Sequence, residues 1–432
     1  VSLIAELGFG VVVLLAVVLL HGLFWARLVR GTTRPGRVRR RLTAVLVVLA
    51  ALVPLAVTGE AFLPGAVQTA VERVGYSWLG VAFYAFLALL ALEPVRWVLR
   101  AAQRRRARAV AAPPADHAPE PDRAPGTDPP PGTDPPPGTD HAPEPDRAPE
   151  PADVPRRLFL ARSLAVTAGA VALGTAGTGA VLANSAPVVR RVPVAISGLD
   201  PALAGYRIVT FSDGHLSRTY GGRRFERVVE LVNAQRPDAV AVVGDLVDGE
   251  VADLREDVAP LRDLVSRDGA FFVTGNHEYF VDTRAWLRHL PTLGIEVLRN
   301  ERVALGRGGA ALDLAGIDDR TAADSGLPGH GADLDAALDG RDDSRPVVLL
   351  AHQPVQVTQA QAAGVDLQLS GHTHGGQLWP FDAAVRLDQP VVEGLSRHGR
   401  TQLYVTAGAG YWGPPMRVGA RPEVTVIELV AG

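Results

Sequence analysis

Ala239-Val240-Ala241-Val242-Val243-Gly244-Asp245-Leu246-Val247-Asp248 is the stretch that decides the fold of the C-terminal half of this chain. Five consecutive small or β-branched apolar residues, closed by a glycine, predict a strand buried on both faces, as in a sheet covered by helices. Two carboxylates follow the glycine, in the loop position where α/β sheets build their sites. Outward from there, Arg207–Phe211 reads as a second buried strand. The segment 223–234 between them places Phe225, Val228, Val229 and Val232 at helical spacing. Further strands are predicted at Ala270–Val273, 311–315, 347–351, 366–369, 402–405 and 424–429. The pattern is α/β early and increasingly β late, so residues 206–430 are expected to form one layered domain around a substantial core.

Polar residues cluster where these strands should end: Asp213 and His215 after the first, Asp245 and Asp248 after the second, Asn276 and His277 after the third. His352 follows another strand directly, and His372-Thr373-His374 comes two residues after a further one. A lone histidine in such a place is commonly a hydrogen-bonded structural residue and a lone aspartate a helix cap. Their convergence in one domain is what points to a site. The 432 residues include no Cys, which excludes disulfides, thiolate ligands and a cysteine nucleophile. Any metal must therefore sit on His, Asp, Glu or Asn. A net charge of −3 argues against a nucleic-acid binder.

Five blocks carry a family resemblance: Asp213-Gly214-His215, Gly244 to Asp248, Gly275-Asn276-His277-Glu278, Ala351-His352, and Gly371-His372-Thr373-His374-Gly375. In this order they match the calcineurin-like metallophosphoesterase superfamily, which residues 206–430 resemble. The block 371–377, with Gly408 to Gly410, Pro415 to Arg417 and Pro422-Glu423, is similar to membrane-anchored bacterial phosphoesterases of that superfamily. The resemblance implies an α/β fold, a layered β-sandwich flanked by helices, with two divalent ions bridged by Asp245. By the same resemblance Asp213, His215 and His374 complete the first metal, and Asn276, His352 and His372 the second. Two cations ~3.5–4 Å apart do need such an anionic bridge to activate one water while binding phosphate oxygens. Mixed imidazole and oxygen donors suit Mn, Fe, Zn or Co. In an extended His-x-His the imidazoles point to opposite sides, so a turn is expected at Gly371, Gly375 and Gly376.

The implied reaction is in-line attack on phosphorus by a metal-bridging hydroxide, without a covalent intermediate. His277 would protonate the leaving oxygen, and Asp248 or Glu278 could orient it. Asp248 reads equally as a capping residue. Asp318 and Asp319 read as loop-entry residues or outer contacts to metal or substrate, and Arg417 as a phosphate contact or a surface ion pair.

The N-terminal region is of another kind. Segments 7–26, 42–58 and 74–92 are uncharged apolar runs near the ~20 residues that cross a bilayer, so 1–108 reads as a three-helix membrane region. Arg27 to Arg41 and Arg96 to Arg108 hold thirteen arginines, which places both segments in the cytoplasm, whereas the loop with Glu60, Glu72 and Arg73 belongs outside. Residues 109–155 read as a disordered spacer: 113–155 contain 16 prolines, and the block 116–125 returns letter for letter at 140–149. Arg156-Arg157-Leu158-Phe159-Leu160 and the uncharged run 163–183 resemble an internal twin-arginine signal, or else a fourth anchor; both readings make 156–186 a membrane segment and send 187–432 outside. Val1 in place of Met reads as an alternative start codon.

The expectation is a bacterial multi-pass membrane protein with an extracytoplasmic metal-dependent phosphoesterase domain, served by the twin-arginine translocase and acting on a phosphorylated small molecule. The alternatives are a hydrolase of lipid-linked pyrophosphates or phosphodiesters, with Trp379, Phe381, Tyr411 and Trp412 lining a lipid-facing mouth, and a non-catalytic metal-stabilised sensor. The unliganded His277 favours an enzyme, because a purely structural metal site does not need an acid.

Overall fold

The computed structural model describes residues 3–59, 62–110 and 156–432. Val1 and, from residue 111 on, the expected proline-rich spacer lie outside the described residues. Four long helices come first: α1 (Leu3–Phe24), running into the π-helical turn Trp25–Arg30, α2 (Arg37–Thr58), α3 (Gly65–Val110) and α4 (Arg156–Ala183). Each is long and apolar enough to cross a membrane. α2 runs through Pro54 without a break, and the Thr58 hydroxyl donates back to the Pro54 carbonyl at 3.0 Å. α3 is longer than the apolar run 74–92, so Glu72 and Arg73 lie on the helix and not in a loop. Nothing between Gly65 and Arg73 breaks a helix, and propensity continues it where hydropathy stops.

Among the described residues, twelve strands form two six-stranded sheets. In the first, β1 (Val188–Ile196), β12 (Glu423–Ala431), β2 (Arg207–Phe211), β3 (Ala239–Val243), β4 (Ala270–Val273) and β5 (Ile295–Val297) lie side by side in that order. The second has the order β10 (Gly394–His398), β11 (Thr401–Val405), β9 (Leu367–Ser370), β8 (Val347–Leu350), β7 (Ala310–Gly316) and β6 (Glu301–Arg307). Ala239, Ala241 and Val243 of β3 meet Leu314, Leu350 and Leu369 of the other sheet in one buried cluster. Val240 and Val242, on the opposite face, pack beneath Phe225, Val228 and Val232 of α5 (Gly222–Ala234). The result is a helix-covered β-sandwich, and the unbroken apolar run of β3 is the consequence of burial on both sides.

The four strands absent from the sequence reading, β1, β5, β6 and β10, are the four sheet edges. Edge strands carry exposed charged residues or proline, as β1 does with Arg190, Arg191 and Pro193, and so lack the continuous apolar run. β1 pairs in parallel with β12 over nine residues, so the domain starts at Val188, immediately after α4. β2, β3 and β4 run parallel, as do β8 and β9, and the loops after their C-terminal ends carry the chemistry-bearing residues.

Candidate metal centre

Asp213 and His215 follow β2, Asp245 follows β3, Asn276 and His277 follow β4, His352 follows β8, and His372 and His374 follow β9. Asp213, His215 and His374 offer ligand atoms that all lie within 4.8 Å of one another, and Asp245, His352 and His372 form a second such group. Asn276 joins the second group through its Oδ1, 2.9 Å from His372 Nδ1. Asp245 Oδ2 stands 3.8 Å from His215 Nε2 and 3.1 Å from His352 Nε2, between the two groups.

The backbone is bent to achieve this. Asp213, His215, Asp245, His372 and His374 all have φ between 45° and 71°, a region costly for residues with a Cβ and found where function over-determines the conformation. In the His-x-His segment this turn brings both imidazoles to the same side. The surrounding glycines allow the approach: a Cβ at Gly275 would collide with Asp245 Oδ1, and one at Gly371 with the Asp213 carboxylate.

Hydrogen bonds fix which histidine nitrogen faces inward. His352 Nδ1 donates to the Val243 carbonyl at 2.8 Å, so Nε2 is the nitrogen that faces Asp245, 3.1 Å from its Oδ2. That Nε2 is fully buried and makes no hydrogen bond. His215 Nδ1 is held by Asp248 Oδ1 at 2.8 Å, and its Nε2 lies 3.0 Å from Nε2 of His374. Two inward-facing imidazole nitrogens and an unpaired third, beside two buried carboxylates, are the donor set that divalent cations fit.

The charges are mutually dependent. Burial alone would raise the Asp245 carboxyl, but His352, His277 and His215 around it outweigh this and hold it well below the usual carboxylate range. Burial and the neighbouring Arg417 guanidinium keep His374 neutral, the state a metal ligand needs. Burial opposes charge on His277 too, yet the Asp245 and Asp248 carboxylates push it up to about 9.

Asp248 is not the cap of the helix that follows, whose N-cap is Glu250; its Oδ1 also accepts from His277 Nδ1 at 2.7 Å. Glu278 has a different place from the one that would orient His277. It is buried and accepts the backbone N–H groups of Gly275, Leu246 and Asp245 at 2.7, 2.8 and 2.9 Å, pinning the turn after β3. Arg417 is neither a phosphate contact nor a surface ion pair. It is fully buried, and its guanidinium donates to the carbonyls of His374, Ala407 and Gly410. Asp318 pairs with Arg299 at 2.7 Å, and Asp319 accepts from Gln353 and Thr321, so both serve the loop after β7.

A cleft of about 250 Å³ opens beside His277 and Asp248. Part of its wall comes from Val57, Gln68 and Tyr76 of the N-terminal helices. They lie some two hundred residues from His277, and no local sequence signal tied them to the site.

The calcineurin-like phosphoesterase family model matches residues 206–376. Over 225 residues the chain is 33% identical to an uncharacterized metallophosphoesterase of Aquifex aeolicus (strain VF5), spanning 52% of this chain and 84% of that protein. The chain belongs to the calcineurin-like metallophosphoesterase family. It is also 42% identical over 258 residues to a transmembrane protein with metallophosphoesterase domain of Danio rerio, and 40% identical over 286 residues to one of Bos taurus. These matches span 58% and 64% of this chain, and 59% and 64% of the two relatives' lengths. The transmembrane relatives and the four apolar helices support membrane association.

Proposed function

We propose that this protein is a membrane-anchored phosphoesterase that uses two divalent cations, with its catalytic domain outside the cytoplasm. The observation that carries the reading is the meeting of two ligand groups on either side of Asp245, one of them containing a buried imidazole nitrogen that has no hydrogen-bond partner. Asp213, His215 and His374 would hold one cation, Asn276, His352 and His372 the other, with Asp245 between them. When bound, the cations supply a water of lowered pKa and neutralise the phosphate oxygens.

The chain's own residues do the rest. His277 is 12% exposed at the cleft, and its Nδ1 is committed to Asp248, so Nε2 is the atom left to give a proton to the leaving oxygen. His215, Asp248 and His277 also lie close enough to ligate, but one Asp248 oxygen accepts from both rings and ties them into a hydrogen-bonded triad.

Metal content and phosphate release by the purified chain test the proposal. Asp245→Asn is expected to lower occupancy at both positions together, whereas His352→Ala should weaken mainly one. Hydrolysis retained by Asp245→Asn with two metals still bound would overturn the assignment. Absence of turnover by the fully loaded native chain on monoester, diester and pyrophosphate substrates would favour a sensor over an enzyme.

A further inference from the structure

The cleft beside His277 has one wall made by the phosphoesterase domain, with Asp248 and Trp412, and another made by the outer ends of α2 and α3, with Val57, Gln68 and Tyr76. Its height relative to a bilayer follows from α3. Glu93, paired with Arg27 at 3.0 Å and with Arg96 at 3.3 Å, marks the arginine-rich end of the helical bundle. At ~1.5 Å per residue, Tyr84 lies about 14 Å and Gly80 about 20 Å from Glu93 along the helix, within the ~30 Å hydrocarbon thickness.

The domain touches α3 at those two positions. The Tyr84 hydroxyl donates to the Trp379 carbonyl at 3.1 Å, and Met416, which is buried, packs where a Cβ on Gly80 would stand. Trp379 and Phe381 remain 62% and 54% exposed beside this contact, aromatic surface able to face hydrocarbon. Further along α3, Tyr76 and Gln68 lie about 26 and 38 Å from Glu93, bracketing the headgroup layer of the opposite membrane surface. The cleft is therefore at the height of lipid phosphates, and below it the domain presents aromatic side chains at hydrocarbon depth.

We infer that the substrate is an amphiphilic phosphate, a phosphate ester or pyrophosphate whose organic part is a long hydrocarbon chain held in the outer leaflet. Its phosphorus enters through the cleft while the chain stays in the bilayer. The inference rests on the phosphoesterase reading. In the reaction a water oxygen bonds to phosphorus and releases a proton to solvent, the bond from phosphorus to the lipid-side oxygen breaks, and that oxygen takes the proton from His277, which solvent then reprotonates.

The test uses the full, metal-loaded chain in phosphatidylcholine vesicles and three matched pairs: dioleoyl phosphatidic acid against glycerol 3-phosphate, phosphatidylglycerol against glycerophosphoglycerol, and a 55-carbon prenyl diphosphate against dimethylallyl diphosphate. In at least one pair kcat/KM is expected to favour the long-chain member by about 100-fold, because binding energy from the remote chain is used at the reacting centre. Val57→Glu, which puts a charge on the helical wall, should lower kcat/KM for the long-chain member about tenfold more than for its soluble partner, whereas Val57→Leu should keep the native preference. A preference below about tenfold in every hydrolysed pair would overturn the inference and leave the phosphoesterase reading standing. An unchanged preference in Val57→Glu would overturn the route through this cleft. Failure to hydrolyse any member with both metals bound would overturn the phosphoesterase reading, and this inference with it.

Discussion

His277 and Arg417 show how two basic side chains take opposite parts at one site. His277 is at the cleft, held by Asp248 at 2.7 Å, with the Phe280 and Trp412 rings 5.1 and 5.7 Å from its own. A general acid matters in proportion to how poor the leaving group is, whereas a metal ligand matters for every substrate. His277→Ala is therefore expected to keep its metals and lose about 10²–10⁴-fold on an alkyl phosphate, with a much smaller loss on an ester of an acidic phenol. Equal losses on both, with depleted metal, would make His277 a ligand. Arg417 has no exposed surface and supports the loop after β11 and the His-x-His turn through backbone carbonyls. Arg417→Met would leave several buried acceptors unpaired, at a cost of about 3 kcal/mol or more. Thermal unfolding should then begin about 6–12 °C lower. A phosphate-binding arginine would instead raise KM and leave that temperature unchanged.

At the scale of elements, the strands that position ligands were legible because they are central, while those that close the sheets were not. β3 and β8 are buried on both faces and write an unbroken apolar signature, and β2 differs only in a half-buried first residue. β5, with three residues, and β10, with Arg397 and His398, depend on one neighbour each and on tertiary pairing. The contact between α3 and the domain is a close one, with Gly80 against Met416 and Gly179 of α4 accepting from the Arg417 backbone N–H at 2.9 Å. Gly80→Leu should lift the loop around Met416 off the helices, because the added side chain overlaps the Met416 thioether. Faster proteolysis of that loop in reconstituted protein, with the isolated helices still inserted, is the expected result. Unchanged proteolysis would mean that the domain does not rest on α3.

For the whole molecule, the orientation proposed from the arginine clusters can be tested from outside the cell. Protease added to intact cells should degrade the region after residue 187 and spare the proline-rich segment 113–155. Cleavage in the spacer with a shielded domain would reverse the topology. By itself the sequence determined the long apolar helices, the central strands and the polar residues that follow them. These properties are local: a run of apolar residues, or a polar residue just past a strand, carries its signal within a few positions. Tertiary structure alone decided which of those residues meet, that Glu278 pins a turn while Asp248 holds two histidines, that Arg417 is buried, and that α2 and α3 wall the cleft. Those outcomes depend on contacts between residues far apart in the chain, such as Tyr84 with Trp379, and on desolvation that exists only once the sheets have closed.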